Sequence, residues 1–299
     1  MPAHRARKTR LLAAAAAALA LLVSAACAPQ DDGSEDGAKA PASSGAPSAD
    51  ACARGALKTR KAHTLTIGTD KPAYAPWFSD DEPSNGKGFE SAVAYAVADK
   101  LGYAKSQVTW ATVPFNSAVA PGPKRFDFDI NQVSVSDERR NAVDFSSGYY
   151  AVRQAVIALK SSRIAGAKSV ADLKDAKLGA QVGTTSLDTL TDVVKPERDP
   201  AVFQKNDLAK SALKNHQVDG IVVDLPTAFY ITSAEVTDAK VVGQFEGGAE
   251  AEQFGLVLDK GSALTSCVTR AVDALRAEGS LAKIEKRWLS DAVDAPVLK

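Results

Sequence analysis

Hydrophobic and polar positions alternate along Leu65-Thr66-Ile67-Gly68-Thr69, and the run stops at Asp70-Lys71-Pro72, which predicts a strand followed by a turn. Phe89, Val93, Val97 and Leu101 then recur every four residues, the stripe of a helix, and Gly102 stands where a C-terminal helix glycine belongs. Val108 to Val113 and Phe126 to Ile130 read as strands, and Val152 to Leu159 is an apolar run of strand length. Leu178 to Val182, Gly220 to Val223, Val241-Val242 and Phe254 to Leu258 continue the series, with helical stretches near Ser186 to Val194 and Asp207 to Lys214. The last part is helical: Leu264, Val268, Ala271 and Leu275 share one face, and Leu281, Ile284 and Trp288 share another. Strands alternating with helices predict an α/β fold with largely parallel sheets. No internal repeat is visible.

The first residues do not belong to that pattern. Arg5, Arg7, Lys8 and Arg10 precede an unbroken apolar run from Leu11 to Val23, too short to span a bilayer comfortably. Small residues Ser24, Ala25 and Ala26 then lead to Cys27, an arrangement that resembles a bacterial lipobox, with Ser24 where Leu is usual. Residues 1–26 are therefore expected to be an export signal, and Cys27 a lipidated residue. Ordinary secretion with a free Cys27 is the alternative. Residues 28–51 contain only Ala, Pro, Gln, Asp, Gly, Ser, Glu and Lys, which cannot build a core, so 27–51 is expected to be a lipid-bearing, disordered linker. As a flexible coil it would reach roughly 25–30 Å. The expected location is outside the cell, anchored to the outer face of the cytoplasmic membrane.

Charge narrows the function. The 299 residues carry 36 Lys+Arg and 36 Asp+Glu, and removing 1–26 takes away four bases and no acids, leaving an acidic remainder. Such a chain has no electrostatic reason to bind nucleic acid. Three cysteines and three histidines lie too far apart for metal-ligand spacing, and no Gly-rich phosphate loop occurs, so neither metal nor cofactor is expected. With Cys27 assigned to lipid, Cys52 and Cys267 remain. In an exported protein they are expected to pair, two unrelated buried thiols being the alternative.

Short strings in a fixed order carry more. Ile67-Gly68-Thr69-Asp70 leads to Tyr74-Ala75-Pro76-Trp77, and Gly88-Phe89-Glu90 opens the first helix. Val113-Pro114-Phe115 follows the second strand. Phe128-Asp129-Ile130 runs to Ser134-Val135-Ser136-Asp137-Glu138-Arg139, then to Val143-Asp144-Phe145-Ser146. Gly183-Thr184-Thr185, Val218-Asp219-Gly220-Ile221-Val222-Val223-Asp224 and Gln253-Phe254-Gly255-Leu256 come next. From Leu65 to Leu289 this order resembles the solute-binding proteins of amino-acid ABC importers, the polar-amino-acid family. The resemblance implies a two-lobed periplasmic-binding-protein-like fold (type II) with two crossover strands as hinge. Residues 52–153 plus 252–299 would form lobe 1 and residues 154–251 lobe 2.

A free amino acid carries a carboxylate and an ammonium, and burying both requires opposite charges with good hydrogen bonding. Arg139 can grip a carboxylate with two parallel N–H bonds, and the family uses the matching Arg so; taken alone it reads as a solvated ion-pair residue. Thr184 and Thr185, between a strand and a helix, would give the same carboxylate a second grip, or simply cap the helix. Asp224 ends an apolar strand and matches the family's ammonium acceptor; a helix cap is the competing reading. Tyr74 and Phe115 are candidates to sandwich the ligand side chain, although aromatics after strands are commonly core. Ser134 and Ser136 can bond near the carboxylate. Asn131 and Gln132 stand where relatives carry small hydroxyl residues or Gly, which hints at a polar ligand, and Asp70 can meet a cationic side chain. Glu90 replaces the more frequent Asp of Gly-Phe-Asp, with no consequence expected.

The function expected is that of a non-enzymatic, monomeric importer component that delivers a polar amino acid to membrane permease subunits. Two rivals share the fold: a dehydratase of cyclic carboxylic acids, and an amino-acid sensor lipoprotein.

Overall fold

A computed structural model describes residues 52–247, 251–289 and 295–299. The expected signal (1–26), the lipidated Cys27 and the linker (27–51) lie outside the described residues. The chain divides into residues 1–44 and 45–299, and every described residue belongs to the second unit.

Lobe 1 opens with β1 (Leu65–Thr69), α1 (Phe89–Lys100), β2 (Val108–Thr112), α2 (Phe115–Val119), β3 (Phe128–Asp129), α3 (Asp137–Arg140) and β4 (Val143–Val152). Arg153 alone separates β4 from β5 (Gln154–Leu159), which enters lobe 2. There follow β6 (Leu178–Gln181), α4 (Thr185–Asp188), β7 (Ala201–Phe203), α5 (Asn206–Lys214), β8 (Gly220–Asp224), α6 (Leu225–Tyr230) and β9 (Ala239–Phe245). The chain returns through β10 (Glu252–Asp259), then α7 (Thr265–Ala277), α8 (Ser280–Trp288) and β11 (Val297–Leu298). The strand order is β2-β1-β3-β10-β4 in one sheet and β11-β9-β5-β8-β6-β7 in the other.

Both sheets are mixed, which corrects the expectation of largely parallel ones. β10 runs antiparallel to β3 and β4, and β5 runs antiparallel to β8 and β9. The reason is topological: the strand that leaves a lobe returns beside the strand that entered it, and must point the opposite way. A second correction concerns the end of the chain. Val297–Leu298 pairs with Gln244-Phe245 of β9, so the last residues assigned from sequence to lobe 1 join the sheet of lobe 2. A two-residue strand has too short a pattern to read. The apolar run from Val152 is likewise split at Arg153, and the strand foreseen over 126–130 shrinks to Phe128–Asp129.

Each sheet is covered on both faces, as the near-continuous apolar strands require. In β10 the alternation is clean: Phe254, Leu256 and Leu258 face α1, α7 and α8, while Val257 faces Phe115, Phe126 and Phe145. α1 buries Phe89, Val93, Ala94 and Val97 against the first of these layers, and with them the carboxyl of Glu90. In lobe 2, β5 sends Ala155 and Ile157 to one layer and Val156 and Ala158 to the other.

Cys52 and Cys267 form a disulfide with 5.4 Å between Cα atoms, tying the first described residue to α7. The bridge spans 215 residues, so it removes much of the freedom of the unfolded chain. Replacing both cysteines with Ala is expected to lower the unfolding free energy by roughly 2–5 kcal/mol. Urea denaturation checks this, and an unchanged midpoint would contradict it.

Candidate functional site

The strands of both sheets deliver the site from their carboxyl ends. Asp70 and Tyr74 follow β1, Phe115 opens α2, Asn131 and Gln132 follow β3, and Arg139 lies on α3. From lobe 2 come Thr184 and Thr185 after β6 and Asp224 at the end of β8. All nine line one cleft. Ser134 is the exception: it is buried behind the cleft wall, where its hydroxyl donates to Glu252 Oε1 and lies 3.3 Å from Thr185 Oγ1.

Local structure aims these groups. Ser136 caps α3 by accepting from the Arg139 N–H at 3.2 Å, which sets the Arg139 backbone at a fixed angle to the cleft. Thr184 caps α4 through the Leu187 N–H at 3.3 Å, so the capping reading of that residue holds while it also lines the cleft. Asp224 stands at the N-cap position of α6 but makes no capping bond; its Oδ1 accepts from Gln154 Nε2 at 2.8 Å instead. Its carboxyl therefore remains in the cleft.

The Arg139 guanidinium donates to Ser134 O at 2.6 Å and across the lobes to Gly183 O at 2.9 Å, and it lies 5.6 Å from the Phe115 ring. Gly183 is favoured here by its backbone, and its lack of a side chain leaves room for an amide from lobe 1. Its φ is +72°, and a Cβ would come within 2.6 Å of Asn116 Oδ1 from lobe 1. Bonds from Trp77 Nε1 to Thr227 Oγ1 at 2.8 Å and from Lys205 Nζ to Lys71 O at 2.5 Å also cross between the lobes. Trp77 is thus a buried strut between the lobes. The unfilled space is about 40 Å³, well below the size of pockets that hold small ligands.

Sequence reasoning missed Gln181, Asn206 and Ser186, which also line the cleft, and Gln154 and Glu252 behind it. Gln154 Nε2 reaches Asp224, Thr185 and both oxygens of Glu252, and its Oε1 accepts from the Ser186 hydroxyl at 2.6 Å. A polar residue opening an otherwise apolar buried strand was the available signal for Gln154. The Glu90 reading also changes. Its buried carboxylate accepts from the Gln132 backbone N–H at 2.7 Å, from Gln132 Nε2 and from the Tyr149 hydroxyl. It holds the cleft floor in place.

Two lobes joined by two strand crossings, with a guanidinium on one wall and a carboxylate on the other, define a ligand-clasping binding protein. Residues 65–291 match the bacterial extracellular solute-binding proteins, family 3, and the chain belongs to that family. The arginine-binding extracellular protein ArtP of Bacillus subtilis is 27% identical over 232 residues, 76% of this chain and 86% of that one. An ancestral arginine-binding protein bound to arginine is 30% identical with a TM-score of 0.64, over 76% of this chain and 98% of that one. The ancestral amino-acid-binding protein AncCDT-1, described as a precursor of cyclohexadienyl dehydratase, is 27% identical with a TM-score of 0.63, over 76% and 95%.

Electrostatics give the site a measurable signature. Burial, then the nearby Glu252, push the Asp224 carboxyl up to about 8, against the lowering effect of the Gln154 bond. Burial likewise pushes Glu90 up to about 7, although Tyr149 and Gln132 stabilise its anion. Unfolding returns both groups to ordinary carboxyl values near 4. Between about pH 4 and 8 these two groups therefore hold more protons in the folded than in the unfolded chain, and their contribution to stability falls as pH rises. Asp224→Asn is expected to flatten part of that decline and to raise stability at pH 9 by on the order of 2 kcal/mol. Thermal melts of wild type and variant from pH 5 to 9, without added amino acid, check this; parallel curves would contradict it.

Proposed function

We propose that the chain captures a free amino acid between its lobes and presents it to the permease subunits of an ATP-driven importer. One observation carries the reading: Arg139 from lobe 1 and Asp224 from lobe 2 line the same narrow cleft. A zwitterion needs one cation and one anion, and here they come from different lobes. The ligand carboxylate would replace Ser134 O and Gly183 O as the partner of Arg139, with the amides at the start of α4 beside it. Its ammonium would bond to Asp224 and restore the ionised carboxylate that burial disfavours. Contacts to both walls exist only when the lobes meet, which is the condition for a ligand to shift the population towards closure.

Export follows from membership of an extracellular family. We further infer lipid anchoring at Cys27 after removal of 1–26, with a monomer working at the outer face of the cytoplasmic membrane. Supporting this are the apolar run that ends at Ser24-Ala25-Ala26 and the single cysteine directly after it.

A dehydratase would share one feature, a carboxyl that keeps its proton near neutral pH at Asp224. Its bond to Gln154 and its place opposite Arg139 suit an ammonium better than a leaving group. Turnover of a prephenate-like acid would separate the two activities.

The test is a thermal-shift screen of the full chain against the common amino acids. A ligand at 100 times its Kd adds about 2.7 kcal/mol of stability. One amino acid or a few related ones are expected to shift the melt, and Arg139→Ala and Asp224→Ala to abolish the shift. Hits confined to sugars or metal ions would refute the proposal.

A further inference from the structure

The amide of Asn131 lines the cleft, the residue is 93% buried, and its Nδ2 has no hydrogen-bond partner among the described residues. A buried donor left unpaired is costly, so this one calls for an explanation. The charges around it are already matched. Arg139 and Asp224 answer the two ends of a zwitterion. Asp70 accepts from the Lys71 and Phe115 N–H groups at 2.6 and 3.1 Å and has Lys205 Nζ 3.9 Å away. No lining charge remains to neutralise a charged ligand side chain. Gln181, Gln132 and Asn206 add three more carboxamides to the wall, a surface made for neutral hydrogen bonding.

Building on the amino-acid reading, we propose that Asn131 selects the ligand. It donates its free N–H to a side-chain oxygen, so the ligand is an amino acid whose side chain ends in a carboxamide, and Glu90 positions the donor. A second carboxylate would face Asp70 and Asp224 with no spare cation among the lining residues. A cationic side chain would leave the Asn131 donor unpaired and compete with Lys205 for Asp70. The ancestral arginine-binding protein has also been captured with glutamine bound, at 28% identity and a TM-score of 0.64, so the scaffold holds such a ligand. Glu90 acts at one remove. Gln132 sits at φ +49°, a left-handed backbone that a non-glycine residue keeps only when held. Glu90 holds it by accepting both its backbone and its side-chain N–H, and this fixes the direction of the adjoining Asn131.

Calorimetric titration of the full chain with L-glutamine, L-asparagine, L-norleucine, L-glutamate and L-arginine tests this. A carboxamide amino acid is expected to bind at least about tenfold tighter than norleucine, which lacks the oxygen. Asn131→Ala should bring that ratio towards one. Asn131→Asp keeps the shape, exchanges the donor for a charged acceptor, and should turn preference towards arginine. Glu90→Gln should lower the glutamine-to-norleucine ratio, and adding Gln132→Gly, which adopts the left-handed backbone unaided, should restore it; a merely structural role for Glu90 gives no such rescue. Tighter binding of arginine or glutamate by the wild type, or an equal loss for every ligand in the Asn131 variants, would overturn the assignment while leaving amino-acid capture intact. Absence of binding by any amino acid would overturn both.

Discussion

The half-buried guanidinium of Arg139 finds oxygens on both lobes, and the geometry of the site is organised around it. Its Nη1 donates within lobe 1 to Ser134 O, and its Nη2 reaches lobe 2 at Gly183 O. The second bond is made where the backbone of Gly183 is left-handed at φ +72°, a conformation that favours glycine, with the Asn116 amide against it. The Ser136 cap and the Phe115 ring then limit where the side chain can swing. Sequence, local turn and interlobe distance are linked through one residue.

The same burial makes the site a source of instability. Asp224 and Glu90 are carboxyls held above their ordinary range, and Asp129, fully buried with neither oxygen bonded among the described residues, is held well above it. Each disfavours the folded state at neutral pH relative to a chain free to ionise. For Asp224 the proposed ammonium offsets this directly. For Glu90 the offset is structural, since its bonds keep a left-handed residue in the wall of the cleft. A protein that selected only for stability would not place three acids so close together. Of the three, Asp224 alone lines the cleft, with Glu90 behind its wall at Gln132.

Much of the fold was legible because it rests on periodicity. The strand from Leu65, the helix from Phe89 and the strand from Phe254 show their period along many residues, and the structure places them as the pattern predicts. Val297–Leu298 and Ala201–Phe203 are too short to carry a period and depend on tertiary pairing alone. The nine cleft residues named from sequence were found by motif and chemical type. Those missed were three amides beside or behind the nine, the Ser186 hydroxyl and a hinge carboxylate, groups that look like ordinary surface residues until the sheet places them. Glu90 shows the limit most clearly. Its exchange for Asp looked inconsequential along the chain, yet the extra methylene belongs to a carboxylate that spans from α1 to Gln132 and Tyr149.

Gln154 opens the strand that enters lobe 2 and Glu252 opens the strand that leaves it, so each stands at one of the two hinge crossings. Their side chains meet, at 3.2 and 3.3 Å, and the same pair touches Asp224, Thr185 and Ser134. A rotation about the crossings must therefore rearrange bonds that also orient the cleft carboxylate. Conversely, any group that takes a hydrogen bond at Asp224 alters what Gln154 can offer Glu252. The two crossings and the cleft thus share the side chains of Gln154 and Glu252.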